Sequence, residues 1–167
     1  PLYSSAASDV YKRQVELGAY EIIPVATKRA VVKLDAKKEK SKLARWQAIS
    51  EAAAKQSKRA VVPQVHSVMS FAQALAYADM LDVRLIPYEM AEDMAKTRSL
   101  IEEIRPGQSI GIFIGPEGGF ASEEIEQAMA HATQPITLGK RILRTETAGM
   151  TVLSILMYTL EGQELKA

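Results

Sequence analysis

Two stretches in the C-terminal half of this 167-residue chain carry residue types and spacings that can do chemistry. One is Gly115-Pro116-Glu117-Gly118-Gly119, directly after the apolar run Ile110 to Ile114. Glycines there allow backbone conformations and close approaches that a Cβ forbids, and Pro116 stiffens the turn, so the loop can offer bare main-chain groups to a ligand. It is not a phosphate-binding P-loop, because no Lys-Ser/Thr follows the glycines, and it does not match the dinucleotide fingerprint. The plain alternative is a tight turn. The other stretch, Leu138-Gly139-Lys140-Arg141-Ile142-Leu143-Arg144-Thr145-Glu146-Thr147-Ala148, puts three cations just ahead of an apolar helix. Cations at a helix start oppose its dipole, so they point to a bound anion or an acidic partner. The structural alternative pairs Arg144 with Glu146 or Glu117. A third loop, Pro87-Tyr88-Glu89, closes the run Val83 to Ile86.

These loops need strands and helices to hold them. Tyr20 to Val25 reads as a short strand ended by proline, with Ala30 to Leu34 extending it or forming a second. A basic loop, Asp35 to Ser41, leads into a long helix on which Leu43, Trp46, Ile49 and Ala53 recur at helical spacing. Ala60 to Val65 is a strand, placed at an edge or a strand end by Pro63. Ser70 and Gln73 form a capping box for a helix carrying Phe71, Leu75 and Ala76. Strand Val83 to Pro87, helix Glu89 to Ile104 and strand Ile110 to Ile114 follow. Ser122 caps a helix with Glu123, Glu124 and Glu126 in its first turn. Ile136 to Leu138 is a last strand, and a helix from about Thr147 to Leu160, apolar nearly all round, is expected to be buried by the core and by a second subunit. Alternating strands and helices give an α/β fold with a mainly parallel sheet, whose ligands sit beyond the carboxyl ends of the strands.

Bulk properties agree with one globular domain: 47% of residues are hydrophobic. There is no cysteine, which excludes disulfides, a thiol nucleophile and cysteine-bound zinc. His66 and His131 are the only histidines, so no metal is expected and both read as surface or packing residues. No apolar run is long enough to span a bilayer, and a cytoplasmic location is the default. The net charge of +1 conceals an asymmetry: Lys28 to Arg59 holds eleven Lys or Arg against three acids, and Glu89 to Glu126 nine acids against three. A basic third suits an anionic partner.

The glycine turn with the Leu138 to Ala148 run resembles the paired signature of the ribosomal RNA small subunit methyltransferase E family. Glu16-Leu17-Gly18, Lys28-Arg29, Arg45-Trp46 and Gln56-Ser57-Lys58-Arg59 with Pro63 are similar to that family too, and the likeness covers about Val15 to Gly162. Two positions depart from the family pattern: Lys28, usually acidic, and Lys140, often proline. The resemblance implies a SPOUT-class α/β fold with a C-terminal trefoil knot, and a homodimer with its site near the interface. It implies S-adenosylmethionine held by Leu85, Ile86, Pro87, Tyr88, Ile114, Gly115, Pro116, Glu117, Gly118, Gly119, Leu138, Gly139, Arg141, Ile142 and Leu143. Small-subunit (16S) ribosomal RNA would be bound by Arg29, Lys58, Arg59 and Arg144, and methylated at N3 of a uridine. Arg144, with Glu117 or Glu146 orienting it, would stabilise the uracil anion.

The resemblance also implies an N-terminal PUA-like barrel in the family, expected to be absent from this stretch of sequence. Pro1 to Gln14 shows no helical or strand period and resembles non-native leader sequence, so the methyltransferase domain is expected over 15–167. A ribose 2′-O-methyltransferase of the same class and a non-catalytic RNA-binding module remain alternatives.

Overall fold

The computed structural model describes residues 2–30 and 36–164. They form two compact units. The first comprises 2–26 and 36–69, and the second 27–30 and 70–164.

The first unit begins with α1 (Leu2–Glu16), where the sequence reading found no period. No glycine or proline interrupts this stretch, and its last turns find a packing partner. Val15 is fully buried with Ala53 and Ala54, and the Tyr11 ring stacks on Trp46 at 5.2 Å. The helix therefore runs through the boundary drawn after Gln14. It stops at Gly18, whose φ of +100° suits a residue without a Cβ. The expected strand from Tyr20 splits around Pro24 into β1 (Glu21–Ile22) and β2 (Val25–Ala26). The second strand drawn at Ala30 to Leu34 lies, but for its first residue, outside the described residues.

Helix α2 (Ala36–Gln56) replaces most of the expected basic loop: lysine and alanine are good helix formers, and residues from Ala36 onward join the helix. Asp35 lies outside the described residues. Of the strand expected over Ala60 to Val65 only β3 (Gln64–Val65) forms, parallel to β1, with Glu21 opposite Gln64. Pro63 cannot donate to a ladder. Its carbonyl instead accepts from Ser50 Oγ of α2 at 2.6 Å, and Gln47 Oε1 accepts from Val65 N at 2.8 Å. The unit closes with β4 (Met69–Ser70), hydrogen-bonded to β2.

The second unit follows the expected α/β alternation. The Ser70–Gln73 capping box is formed in both directions and opens α3 (Phe71–Ala78). Then come β5 (Val83–Pro87), α4 (Met94–Glu103), β6 (Ile110–Ile112), α5 (Ser122–Ala130), β7 (Gln134–Ile136) and α6 (Thr145–Glu164). Helix α4 starts five residues later than expected because Asp93, not a residue near Glu89, accepts from the Lys96 amide at 2.8 Å and caps it. The sheet is parallel in the order β6-β5-β7, with Leu85 opposite both Ile112 and Gln134. Its edge strand β7 tolerates Pro135. Leu85, Ile136, Ile101, Ile104, Val152 and Leu156 form the core between sheet, α4 and α6. Helix α6 turns Val152 and Leu156 into this core and leaves Ile155 and Tyr158 exposed in the single chain.

Candidate functional site: three loops at the carboxyl ends of a parallel sheet

Because β5, β6 and β7 run parallel, the chain leaves all three on the same side. Hydrogen bonding continues past the strand ends. Leu85 O accepts from Phe113 N at 2.9 Å, and Ile136 O accepts from Tyr88 N at 3.0 Å. The first residues after β5 and β6 are thus still held by sheet hydrogen bonds. Leu85 and Ile86 are fully buried and form the floor, while Pro87 and Tyr88 are half-buried above it.

The glycine turn folds back on itself through Gly119 N–H donating to Pro116 O at 2.8 Å, with Gly119 at φ +67°. Gly115 is closely packed: a Cβ there would lie 3.1 Å from the ring of Phe120, which is buried against Phe71 and would have to shift. Gly118 is crossed by residues 27–30. Arg29 Nη1 donates to Gly118 O at 2.8 Å. Lys28 N donates to Glu124 Oε1 at 2.8 Å, and Glu124 Oε2 accepts from Ala121 N at 2.8 Å. Glu124 is buried, so α5 is capped from within its own first turn. Ser122, the expected cap, is instead the first helical residue.

The third loop is anchored at both ends by threonines. Thr137 N donates to Thr97 Oγ1 of α4 at 3.0 Å, and Thr145 Oγ1 donates to Gly115 O at 2.9 Å. This last bond fastens the third loop to the second. Between the anchors Gly139 takes φ +107°. Ile114, Pro116, Leu138 and Leu143 are half-buried around these turns, and Ile142 is 85% exposed.

Comparison with known proteins matches residues 4–157 to the RNA methyltransferase domain. The chain belongs to that family. The resemblance read from the motifs is borne out. A ribosomal RNA small subunit methyltransferase E of Bacillus subtilis is 38% identical over 155 residues, covering 91% of this chain and 60% of that protein. A solved methyltransferase of Legionella pneumophila in complex with the cofactor SAM is 32% identical at a TM-score of 0.82, over 92% of this chain and 61% of its own. A ribosomal RNA small subunit methyltransferase E of Neisseria gonorrhoeae bound to S-adenosyl methionine is 31% identical at a TM-score of 0.78, over 93% of this chain and 62% of its own. The chain thus spans about three-fifths of the length of the relatives it matches.

In this RNA methyltransferase domain the charged residues divide sharply by role. Lys140, Arg141 and Arg144 project from the third loop and are exposed. Among the described residues Arg144 has no ion pair, so neither Glu117, exposed on the second loop, nor the half-buried Glu146 holds it. Arg29, singled out for RNA, spends one guanidinium nitrogen on Gly118. Arg59 is turned inward in the first unit, donating to the carbonyls of Val15 at 2.9 Å and Ala19 at 2.6 Å. Burial lowers its pKa from the ordinary arginine value. Lys58 is exposed and left-handed, with φ +58°. His66 pairs with Glu21 and His131 with Asp79, each at 2.8 Å, and neither stands in the three loops. No cluster of three metal-ligating side chains occurs among the described residues. Sequence reading missed the scaffold of the site: Thr97, Thr137, Thr145 and Glu124. The only sequence signal was Glu124 at the third position of a helix, the place from which a carboxylate reaches back to the cap.

Proposed function

We propose that this domain transfers a methyl group from S-adenosylmethionine to N3 of a uridine in small-subunit (16S) ribosomal RNA. The observation that carries the reading is the fastening of three loops at the carboxyl ends of one parallel sheet, with Thr145 tying the cationic loop to the glycine turn. Relatives of the same family solved with this cofactor support it.

The residues fit the cofactor. At Gly119 and Gly139 a Cβ would meet nothing within 4 Å, so both left-handed turns border open space. Ile142, Leu138 and Leu143 supply apolar surface for a purine. The turns expose main-chain groups suited to ribose and the methionyl end. Residues 85–88, 114–119 and 138–143 would hold the molecule in a bent shape, and the chain around them would form the trefoil knot of the class. When bound, S-adenosylmethionine supplies the activated methyl group. The domain supplies orientation and charge. Arg144, exposed and unpaired beside Glu146, would stabilise the uracil anion left when the N3 proton departs, or clamp a neighbouring phosphate. Lys58 and the basic α2 would follow the RNA backbone, with Arg29 and Arg59 adding what their internal bonds leave free. The exposed Ile155 and Tyr158 of α6 suit a homodimer, and the site needs no metal. A cytoplasmic location goes with this substrate.

Calorimetric titration with S-adenosylmethionine tests the reading. Saturable binding is expected, weakened by Gly139→Val, followed by transfer of labelled methyl to 16S RNA with 3-methyluridine as product. A folded chain that binds no cofactor, or a product methylated on ribose, refutes it.

A further inference from the structure

We infer that residues 27–30 are a strap that fixes the glycine turn, and that Arg29 is a positioning residue for cofactor binding, acting through the Gly118–Gly119 peptide. The inference rests on the reading of the turn as part of a cofactor site.

The geometry of one peptide unit carries it. Its oxygen, on Gly118, accepts from Arg29 Nη1 at 2.8 Å. Its N–H, on Gly119, donates to Pro116 O at 2.8 Å. Gly-Gly peptides rotate easily because no Cβ resists, and here both ends of the peptide dipole are held instead. The bond from Arg29 is charge-assisted, the stronger kind. The aliphatic stem of Arg29 also lies along the turn: a Cβ at Gly118 would be 3.5 Å from Arg29 Cβ and 3.6 Å from its Cδ.

The strap is itself immobilised. Lys28 N–H is taken by the buried carboxylate of Glu124, the same carboxylate that takes Ala121 N–H at the head of α5. Lys28 Nζ lies 3.3 Å from Glu123 Oε2; the hydrogen bond from Glu123's own main chain first, and this pairing second, hold the Glu123 carboxyl below its ordinary range. Ala30 N–H closes the segment on Thr27 O at 3.2 Å. Four residues thus attach to α5 at one end and to Gly118 at the other. An arginine kept only for RNA would have no need of this backing, and its fork would point free.

The test uses Arg29→Met, which keeps the stem, and Arg29→Lys, which keeps a single cationic donor. Two readouts are taken without RNA: hydrogen exchange of the amides of 116–121, and calorimetric titration with S-adenosylmethionine. In the Met variant exchange at Gly119 is expected to quicken and the cofactor Kd to rise about tenfold, as for one lost bond to a charged group. The Lys variant is expected to recover most of both. Unchanged exchange in Arg29→Met overturns the strap whether or not any ligand binds. An unchanged Kd with a raised KM for RNA overturns the positioning role and returns Arg29 to the RNA. If the unaltered chain binds no S-adenosylmethionine, the functional reading and the cofactor role of Arg29 fall together, and the exchange result still decides the strap.

Discussion

Replacing Glu124 probes the junction on which the site stands. Glu124 is 3% exposed, and its carboxylate takes two main-chain N–H groups, from Lys28 and Ala121, at 2.8 Å each. Ala121 has no side chain to cap α5, so Glu124 does half the work of a capping box alone. Glu124→Ala removes both acceptors. Bonds to a charged group contribute about 1.5–3 kcal/mol each, and a negative charge at a helix N-terminus about 0.3–1 kcal/mol. Allowing for partial hydration of the freed Lys28 amide, the loss is about 3–5 kcal/mol, or roughly 8–15 °C in Tm for a chain of this size. Glu124→Gln keeps one oxygen for one amide and turns an NH2 toward the other, so it is expected to cost about half as much. Urea unfolding followed by circular dichroism gives both numbers, and hydrogen exchange shows whether 27–30 and the head of α5 loosen together. A loss below about 1 kcal/mol for the alanine variant would refute the reasoning, for it would mean that water satisfies both amides.

Three further outcomes are expected. Burial raises the Tyr11 phenol to about 12, so the folded chain keeps a proton that the unfolded chain releases near pH 10. The stabilising difference is whole below pH 10 and is lost as pH climbs toward 12, by about 2–3 kcal/mol. Fluorescence of the sole tryptophan, Trp46, which stacks on Tyr11, follows it, and Tyr11→Phe is expected to flatten the dependence. Lys58→Gly relieves a left-handed lysine and is expected to stabilise by about 1 kcal/mol in thermal unfolding, while lowering the salt slope of RNA binding by about 1 if Lys58 meets a phosphate. Arg144→Ala, at an exposed residue without an ion pair, is expected to change stability by less than about 0.5 kcal/mol and to cut methyl transfer about 100-fold or more. Unchanged turnover would remove Arg144 from the mechanism.

What was legible in the sequence is what local chemistry dictates. The Ser70–Gln73 capping box lies within four residues, and β5 is bounded as its apolar run suggests, so both were readable. The glycine and cationic stretches were readable as loops because glycine, proline and clustered cations follow apolar runs there and continue neither strand nor helix. Helix α1 was missed because its period appears only against a partner: Val15 and Tyr11 become core residues once Ala53, Ala54 and Trp46 are beside them. The start of α5 was misplaced because a hydroxyl at Ser122 is a stronger local signal than a carboxylate two residues further on. The internal bonds of Arg29 and Arg59 were not legible, because a sequence shows charge but not direction, and the carbonyls that receive them lie 89 and about 40 residues away.

The bonds that fasten the loops to one another and to α4 are made by threonine hydroxyls and main-chain groups. None of these gains or loses a proton in the working range of an enzyme, and none is weakened by salt as surface charges are. Ionic strength would therefore act on capture of the RNA and on the exposed Lys28–Glu123 pair behind the strap, and leave the link between the cationic loop and the glycine turn alone. With that link indifferent to acidity, a rise of methyl transfer with pH would report the proton leaving the uracil ring rather than a loosening of the two loops from each other.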